Sequence, residues 1–420
     1  MGCGLNASRT SIERGFLLDW IDNNAPGFAE ELPLPLGLPA KPVVAIFRSP
    51  IFNASETFIQ THATSLRRFQ PLIIGIEHKG EVQSSLRDRV IVPDSARERL
   101  RFRLLGPPRS LVDRIRAHAP AVLHAHFGPD GLAALPLARL LGIPLVTTLH
   151  GYEVGRSRFC LLTSGRLSWT RYALRGRKLM AGGDLFVAVS EALRRRAIDR
   201  GYPPERTITH YNGVDLRRFE LPNARPRPGL ILHVCRLVEK KGTSLLIRAF
   251  AQVRAARPEA RLMIVGDGPL RATLEQQAAE MGQRDCVAFL GHRDQQEVAR
   301  RMGRAWLLAA PSITASDGDA EGLPTTVVEA AAASLPVVAS DHSGTPEAVA
   351  DGRSGFIVPE GDADALARRM LDLLGSPRLR TSMAAASRAL AEDRFDALRQ
   401  TRVLEGHYER LCRAAAPTGV

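Results

Sequence analysis

Two carboxylates, Glu321 and Glu329, stand eight positions apart on either side of Gly322-Leu323-Pro324-Thr325-Thr326. A hydrophobic run ending Leu308-Ala309-Ala310 precedes them, and the β-branched pair Val337-Val338 comes after. That order reads as strand, loop, helix and strand. The loop offers backbone N–H groups and the positive end of a helix dipole, a seat for phosphate. Pro324 suits the first helical turn, where its missing N–H costs nothing. Glu321 then lies at the mouth of the anion site, and Glu329 about one and a half turns into the helix. One carboxylate can face a sugar carried on a diphosphate, and the other can hold a ribose.

Positive charge for such a diphosphate is available upstream, in Arg236-Leu237-Val238-Glu239-Lys240-Lys241-Gly242. Arg236 is a planar fork and Lys241 a point charge, and together they can neutralise a departing phosphate. Lys240 competes for the second role, and a solvated charged turn is the plainer alternative. Gly266 and Gly268 follow the next strand, in Val265-Gly266-Asp267-Gly268-Pro269-Leu270-Arg271. A dinucleotide fingerprint needs a third glycine where Arg271 stands, which argues against a dehydrogenase. His292 closes Phe289-Leu290-Gly291-His292 after another strand, where it reads equally well as a surface histidine on a turn.

In the first half of the chain, Leu149-His150-Gly151-Tyr152-Glu153 follows an apolar strand. His150 thus sits at the carboxyl end of a strand, where parallel α/β sheets place their ligands. His124 and His126 alternate on an earlier strand that runs into Phe127. Two histidines with no acidic or thiol partner at a suitable spacing do not make a metal site. Ser55 is placed to cap the next helix, with Glu56 in its first turn.

The elements that must position these residues fall into two sets of short buried strands alternating with helices, the pattern of parallel α/β sheets. The first set begins at Val43 and the second at Leu230, with a turn-rich junction from Asn212 to Pro228. A chain of 420 residues fits two such domains. The expected division is an extension and proline-punctuated linker over 1–42, a first domain over 43–220, a second over 229–394 and a long helix over 395–413. A peripheral helix is expected near Ser11–Ile21. No apolar run is long enough for a transmembrane helix, and the N-terminus lacks the features of a secretory signal. Asn6 stands where a myristoylation motif wants Ser or Thr. Five scattered cysteines, with no Cys-x-x-Cys, argue for reduced thiols in a cytoplasm.

In order along the chain, Ser55-Glu56-Thr57-Phe58-Ile59, His150-Gly151-Tyr152-Glu153 and the stretch from Ser316 to Pro324 resemble glycosyltransferases of the colanic-acid and amylovoran type. The Glu321–Glu329 spacing resembles the Glu-x7-Glu signature of retaining glycosyltransferases of family GT4. The resemblance implies the GT-B fold: two doubly wound, Rossmann-like domains with a cleft between them and a C-terminal helix that crosses back onto the first. It implies transfer of a hexose from a nucleotide sugar to a lipid-linked glycan, with retained configuration, in surface or exopolysaccharide synthesis. The donor is expected to be a UDP-hexose rather than GDP-mannose.

Carried onto this chain, the resemblance makes His150, Glu321, Arg236 and Lys241 the catalytic set. Gly266, Gly268, His292, Gly322, Leu323, Pro324, Thr325 and Glu329 would hold the donor. Ser55, Glu56, His126, Phe127 and Glu153 would line the acceptor side; the family often has Asp where Glu153 stands. No metal or other cofactor is expected, because arginine, lysine and backbone donors supply the positive charge.

The formal charge is +13. From Val154 to Gly183 there are seven Arg or Lys and no Asp or Glu. A genome bias toward arginine accounts for the total as well as an anionic partner does, but accounts less well for the clustering. Arg171, Arg175 and Lys178 fall at helical spacing among Leu167, Trp169, Leu174 and Leu179, a pattern that suits an anionic membrane, although packing of these apolar residues on the domain is the commoner outcome. The expected place is therefore the cytoplasm, at the inner face of the membrane. Two other readings remain: a nucleotide-sugar epimerase on the same fold, and a basic nucleic-acid-binding protein. The latter lacks a recognition motif and interleaved aromatics, so no nucleic acid is expected.

Overall fold

The computed structural model describes residues 41–51, 56–79, 84–221 and 225–415. The N-terminal extension, the helix expected near Ser11–Ile21, and Ser55 lie outside them.

The first domain holds a seven-stranded sheet, every pairing parallel. Its strands are β1 (Val43–Phe47), β2 (Gln70–Ile74), β3 (Val90–Ile91), β4 (Pro120–His126), β5 (Leu145–Leu149), β6 (Leu185–Ala188) and β7 (Thr207–Thr209), in the order β3-β2-β1-β4-β5-β6-β7. Val44, Ala45, Ile46 and Phe47 are fully buried. Helices cover both faces of a parallel sheet, so its strands are apolar throughout rather than alternating. Burying each large side chain of this kind stabilises the fold by about 1.5–3 kcal/mol.

The second domain repeats the plan with six parallel strands: β8 (Leu230–Val234), β9 (Arg261–Val265), β10 (Val287–Phe289), β11 (Leu307–Ala310), β12 (Val337–Ser340) and β13 (Gly355–Val358). Their order is β10-β9-β8-β11-β12-β13. In both sheets the strand order reverses beside the first strand, between β1 and β4 and between β8 and β11. The loops leaving those strands open a crevice there. Two elements escaped the sequence alone: β7, a short edge strand with two threonines, and a helix over Pro377–Arg394.

Seven helices frame the cleft or tie the domains together: α1 (Thr57–Ser65), α2 (Ala96–Leu105), α3 (Gly128–Leu141), α4 (Leu167–Gly182), α5 (Glu191–Asp199), α6 (Thr325–Ala332) and α7 (Ala397–Ala415). Helix α7 is the crossover. Val214 N donates to Phe395 O at 2.7 Å and Ala397 N to Val214 O at 3.0 Å, so the two crossings lie side by side. From there α7 returns to the first domain, where Leu404 and Tyr408 join the core of Val44, Ile46 and Val122. Its buried Glu405 accepts backbone N–H bonds from Arg67, Arg68 and Phe69 at 2.8, 2.6 and 3.1 Å. Those bonds satisfy one oxygen of a carboxylate that is costly to bury unpaired, and Arg68 Nε lies 3.6 Å from the other.

Candidate active site

A cleft of about 2500 Å³ runs between the domains. On the second-domain side, the loop after β8 makes a single 3₁₀ turn over Glu239–Lys241 and ends at Gly242, with φ 62°. A Cβ at Gly242 would lie 1.8 Å from Pro311 O, so only glycine lets this loop pack on the one after β11. That packing brings Lys241 Nζ to 2.9 Å from Glu321 Oε1. Burial alone would raise the Glu321 carboxyl, but Lys241 and Lys240 outweigh it and hold the group at about 2. Burial lowers the Lys241 ammonium, and Glu321 more than restores it. Both groups are therefore charged. Arg236 lies exposed in the same wall, with no ion pair among the described residues.

Helix α6 begins at Thr325, with Pro324 at its N-cap rather than in its first turn. Leu323, Thr325, Thr326 and Glu329 face the cleft, as do Gly266 and His292. Burial pushes the Glu329 carboxyl up to about 7, and the more distant Arg218 offsets this only in part. Three residues expected to touch the donor do not line the cleft. A Cβ at Gly268 would lie 2.4 Å from Leu237 O, so this glycine packs the Arg236 loop from behind. Gly322 is pressed against the first domain, and Pro324 shapes the turn.

On the first-domain side, His150 ends β5 in a box of rings, with Phe58 and Phe127 centroids at 4.5 and 4.4 Å. Burial and Arg48 lower its imidazole to about 3, so it is neutral. Its Nε2 lies 3.1 Å from His126 Nδ1. His126 itself is 3% exposed and stands one layer behind, outside the cleft it was expected to line. Glu153 also turns inward. Its carboxylate accepts from His150 N at 2.8 Å and Gly151 N at 3.0 Å, so it fixes the histidine turn and leaves the acceptor side to others. Phe127 and Glu56 do line the cleft.

The sequence missed the partners of Glu56. Arg48 joins Glu56 at 2.6 Å and Asp130 at 2.7 Å, with its guanidinium 4.3 Å above the Phe127 ring. Tyr152 stacks on Phe127, and Trp169 on Tyr152, extending an aromatic wall. No local spacing announces these contacts, because each arises from a separate strand-end loop. An arginine directly after the first strand and an aspartate in the first turn of α3 were the available signals.

The two walls meet. A Cβ at Gly322 would lie 2.2 Å from His150 O, and one at Gly151, where φ is 136°, 2.9 Å from Ala320 O. Ser190 Oγ donates to Gly322 O at 2.9 Å. Glu347 of the second domain accepts from Glu191 N and Ala192 N at 2.8 and 2.9 Å, capping α5 of the first. Asp317 and Asp319 have an Asp-x-Asp spacing, against the expectation that the chain carries none. Arg156 pairs with them at 2.9 and 3.0 Å, and Lys240 with Asp319 at 3.1 Å.

Behind His150, the structure also supplies what the alternating histidines lacked. His62 of α1 joins His124 and His126, each offering a ring nitrogen within 4.8 Å of the others.

The family model "Glycosyltransferase Family 4" matches residues 55–218, and "Glycosyl transferases group 1" matches 218–390. The chain is 34% identical over 297 residues to the amylovoran biosynthesis glycosyltransferase AmsK of Erwinia amylovora, covering 70% of this chain and 71% of AmsK. It is 36% identical over 261 residues to WcaL of Salmonella typhimurium, a protein named for colanic acid biosynthesis. That match covers 60% of this chain and 61% of WcaL, so it spans about three fifths of that relative. The crystal structure of Anabaena HepE with UDP-glucose superposes with a TM-score of 0.71 at 22% identity, covering 88% of this chain and 99% of HepE, a likeness of fold. With two doubly wound domains, a crossover helix and both family models in register, the chain belongs to the family 4 glycosyltransferases of GT-B fold.

Proposed function

We propose that this glycosyltransferase moves a hexose from a nucleotide sugar to a hydroxyl of a lipid-linked glycan, with retained configuration, in surface polysaccharide synthesis. The observation that carries the reading is the charged Lys241–Glu321 pair beside the unpaired Arg236, in a cleft whose other wall holds His150. A leaving diphosphate meets two cations and the N-terminus of α6, so the charge that develops on it is stabilised by groups already in place. Glu321 orients donor hydroxyls, Glu329 holds the ribose, and the leaving phosphate can take the acceptor proton. No metal is needed for that charge, and a UDP-hexose is the donor to test first.

Membrane contact finds support in one face of the first domain. Leu105 and Leu174 are 83% and 59% exposed, and Arg171 of α4 donates to Leu104 O of α2 at 2.9 Å, joining the two helices. Arg175 and Lys178 lie exposed on the same helix. Apolar side chains among unpaired cations suit an anionic bilayer surface, and the place proposed is the inner face of the cytoplasmic membrane. No helix among the described residues is long and apolar enough to cross a membrane.

The test is a donor screen. UDP-glucose, UDP-galactose, UDP-GlcNAc and GDP-mannose are each incubated with the protein, with and without a membrane lipid extract, and released nucleotide is measured. Lipid-stimulated release from one donor, reduced at least tenfold in Glu329→Gln, is the expected result. Release from none of them, with no binding of either nucleotide, would overturn the reading.

A further inference from the structure

We propose that His62, His124 and His126 bind one divalent transition-metal ion of the zinc class, in a small cavity behind His150. This site is independent of the transfer reading and takes no part in neutralising the diphosphate. It is built from α1 and two alternate residues of β4. Period-two alternation puts His124 and His126 on the same face of the strand, their rings stacked at 4.8 Å. The His62 ring lies 5.1 and 5.7 Å from theirs.

Three observations point to a ligand. One nitrogen from each ring lies within 4.8 Å of the other two. The rings line a cavity of about 40 Å³, room for a single ion or water. Two of the ring nitrogens, His62 Nδ1 and His126 Nε2, are buried with no hydrogen-bond partner. Buried polar atoms are nearly always satisfied, and each exception calls for an explanation.

The chemistry of the donor set selects the ion. Three nitrogens without a carboxylate suit zinc, copper or nickel rather than magnesium or calcium. Bonds of 2.0–2.1 Å in a tetrahedron put ligand atoms about 3.3 Å apart, so nitrogens within 4.8 Å of one another close by up to about 1.5 Å on binding. His124 meets the Tyr408 hydroxyl at one nitrogen and Thr148 Oγ1, at 2.6 Å, at the other; it gives up one of these to the ion. The remaining hydroxyl orients the ring, as outer partners of metal-bound histidines do. Tyr408 also touches His62 Nε2 at 3.0 Å, so the ion would tie α7 to α1 and β4.

The ion would also act on the cleft. Ligation through His126 Nε2 leaves its proton on Nδ1, which then donates to His150 Nε2. His150 must then carry its own proton on Nδ1, so the metal selects one tautomer of the cleft histidine.

The experiment uses the full chain without a polyhistidine tag, stripped with EDTA and dialysed against zinc or cobalt. Metal content, the visible spectrum of the cobalt form and competition with a chromophoric chelator are measured on wild type, His62→Ala and a control, His118→Ala, on the exposed surface. Wild type and H118A are expected to hold one equivalent, with a tetrahedral cobalt spectrum. H62A is expected to bind at least 100-fold more weakly, and added zinc to raise the unfolding temperature of wild type but not of H62A. Equal metal on wild type and H62A would overturn the proposal. If H62A fails to fold, a wild type that takes up no cobalt with a tetrahedral spectrum would do so alone.

Discussion

Lys241 Nζ and Glu321 Oε1, 2.9 Å apart, join the two loops that leave the second sheet where its strand order reverses. In the proposed reaction, the ammonium assigned to the leaving phosphate is thus held by the carboxylate assigned to the sugar. Lys241→Met removes the cation and strands a buried charge. It is expected to cost about 10²–10³ in kcat/KM, the range seen for loss of one charge-stabilising donor. It also changes acid stability. The folded carboxyl titrates at about 2 against an ordinary 4.5, so its contribution is full above pH 4.5 and lost as pH falls toward 2. Without Lys241 that contribution shrinks, and acid unfolding followed by circular dichroism should begin at higher pH. An unshifted acid transition would contradict the pairing.

Glu329 has the opposite sign. Its folded carboxyl titrates at about 7, above the ordinary 4.5, so the folded state favours the protonated form. That stability is present below pH 4.5 and lost as pH rises through 7. Glu329→Gln should therefore be more stable than wild type at pH 8, by on the order of 3 kcal/mol, and equal to it at pH 4.5. The same change should weaken UDP binding about 10-fold or more, because a charge-assisted hydrogen bond to the ribose is lost. Thermal unfolding at the two pH values and calorimetric titration with UDP check both limbs.

The contrast between Lys241 and His126 shows what the sequence could and could not carry. Lys241 and Glu321 were legible because each lies in the loop after a strand of recognisable pattern, and loops that leave a sheet at a reversal of strand order must face a common crevice. His126 was placed in the cleft by the same reasoning. It lies inside strand β4 rather than beyond it, and alternation turns it into the layer behind. Glu153 had a plausible position, yet two free N–H groups of its own turn captured it first. Contacts between separate loops, such as Arg48 with Asp130 and His62 with His124, have no local pattern and appear only when the sheet is assembled. The fold was the more legible part, since buried parallel strands announce themselves by unbroken apolar runs. The polar edge strand β7 did not.

Gly322→Ala tests domain contact. The new Cβ would lie 2.2 Å from His150 O, backbone that cannot rotate away. The loop or the domains must shift, at a cost of about 1–3 kcal/mol for overpacking. Donor turnover should fall more than UDP affinity, because the proposed nucleotide contacts lie in one domain and only the proposed reacting end spans both. A variant with wild-type kcat would show that this contact plays no part in turnover.

Asp319 sits between Arg156 of the first domain and Lys240 of the second, at 3.0 and 3.1 Å, with its side chain 14% exposed. Asp319→Asn should loosen the closed arrangement while keeping the volume of the loop. Donor kcat/KM is expected to fall about 10-fold, with the unfolding temperature changed by a few degrees at most. The wild-type enzyme should lose activity with added salt more steeply than the variant, since salt screens the partly exposed pairs that the variant already lacks. Parallel salt profiles would remove Asp319 from domain closure.

The basic face of α4 gives the last test. Arg175 and Lys178 are exposed, whereas Arg171 is tied to α2 by Leu104 O and is left intact. Each cation near an anionic bilayer contributes about 1 kcal/mol. Reversing both in Arg175→Glu/Lys178→Glu should lower co-sedimentation with anionic vesicles by at least about 30-fold, leaving binding to neutral vesicles unchanged. Arg175 and Lys178 line the same cleft as Lys241 and Glu321, so turnover of a water-soluble acceptor is the control and should fall less than that of a lipid-linked one. Turnover of a lipid-linked acceptor in anionic vesicles should fall with the binding. If wild type fails to sediment with anionic vesicles at low salt, the face has another use, and the exposed Leu105 and Leu174 must be explained without a bilayer.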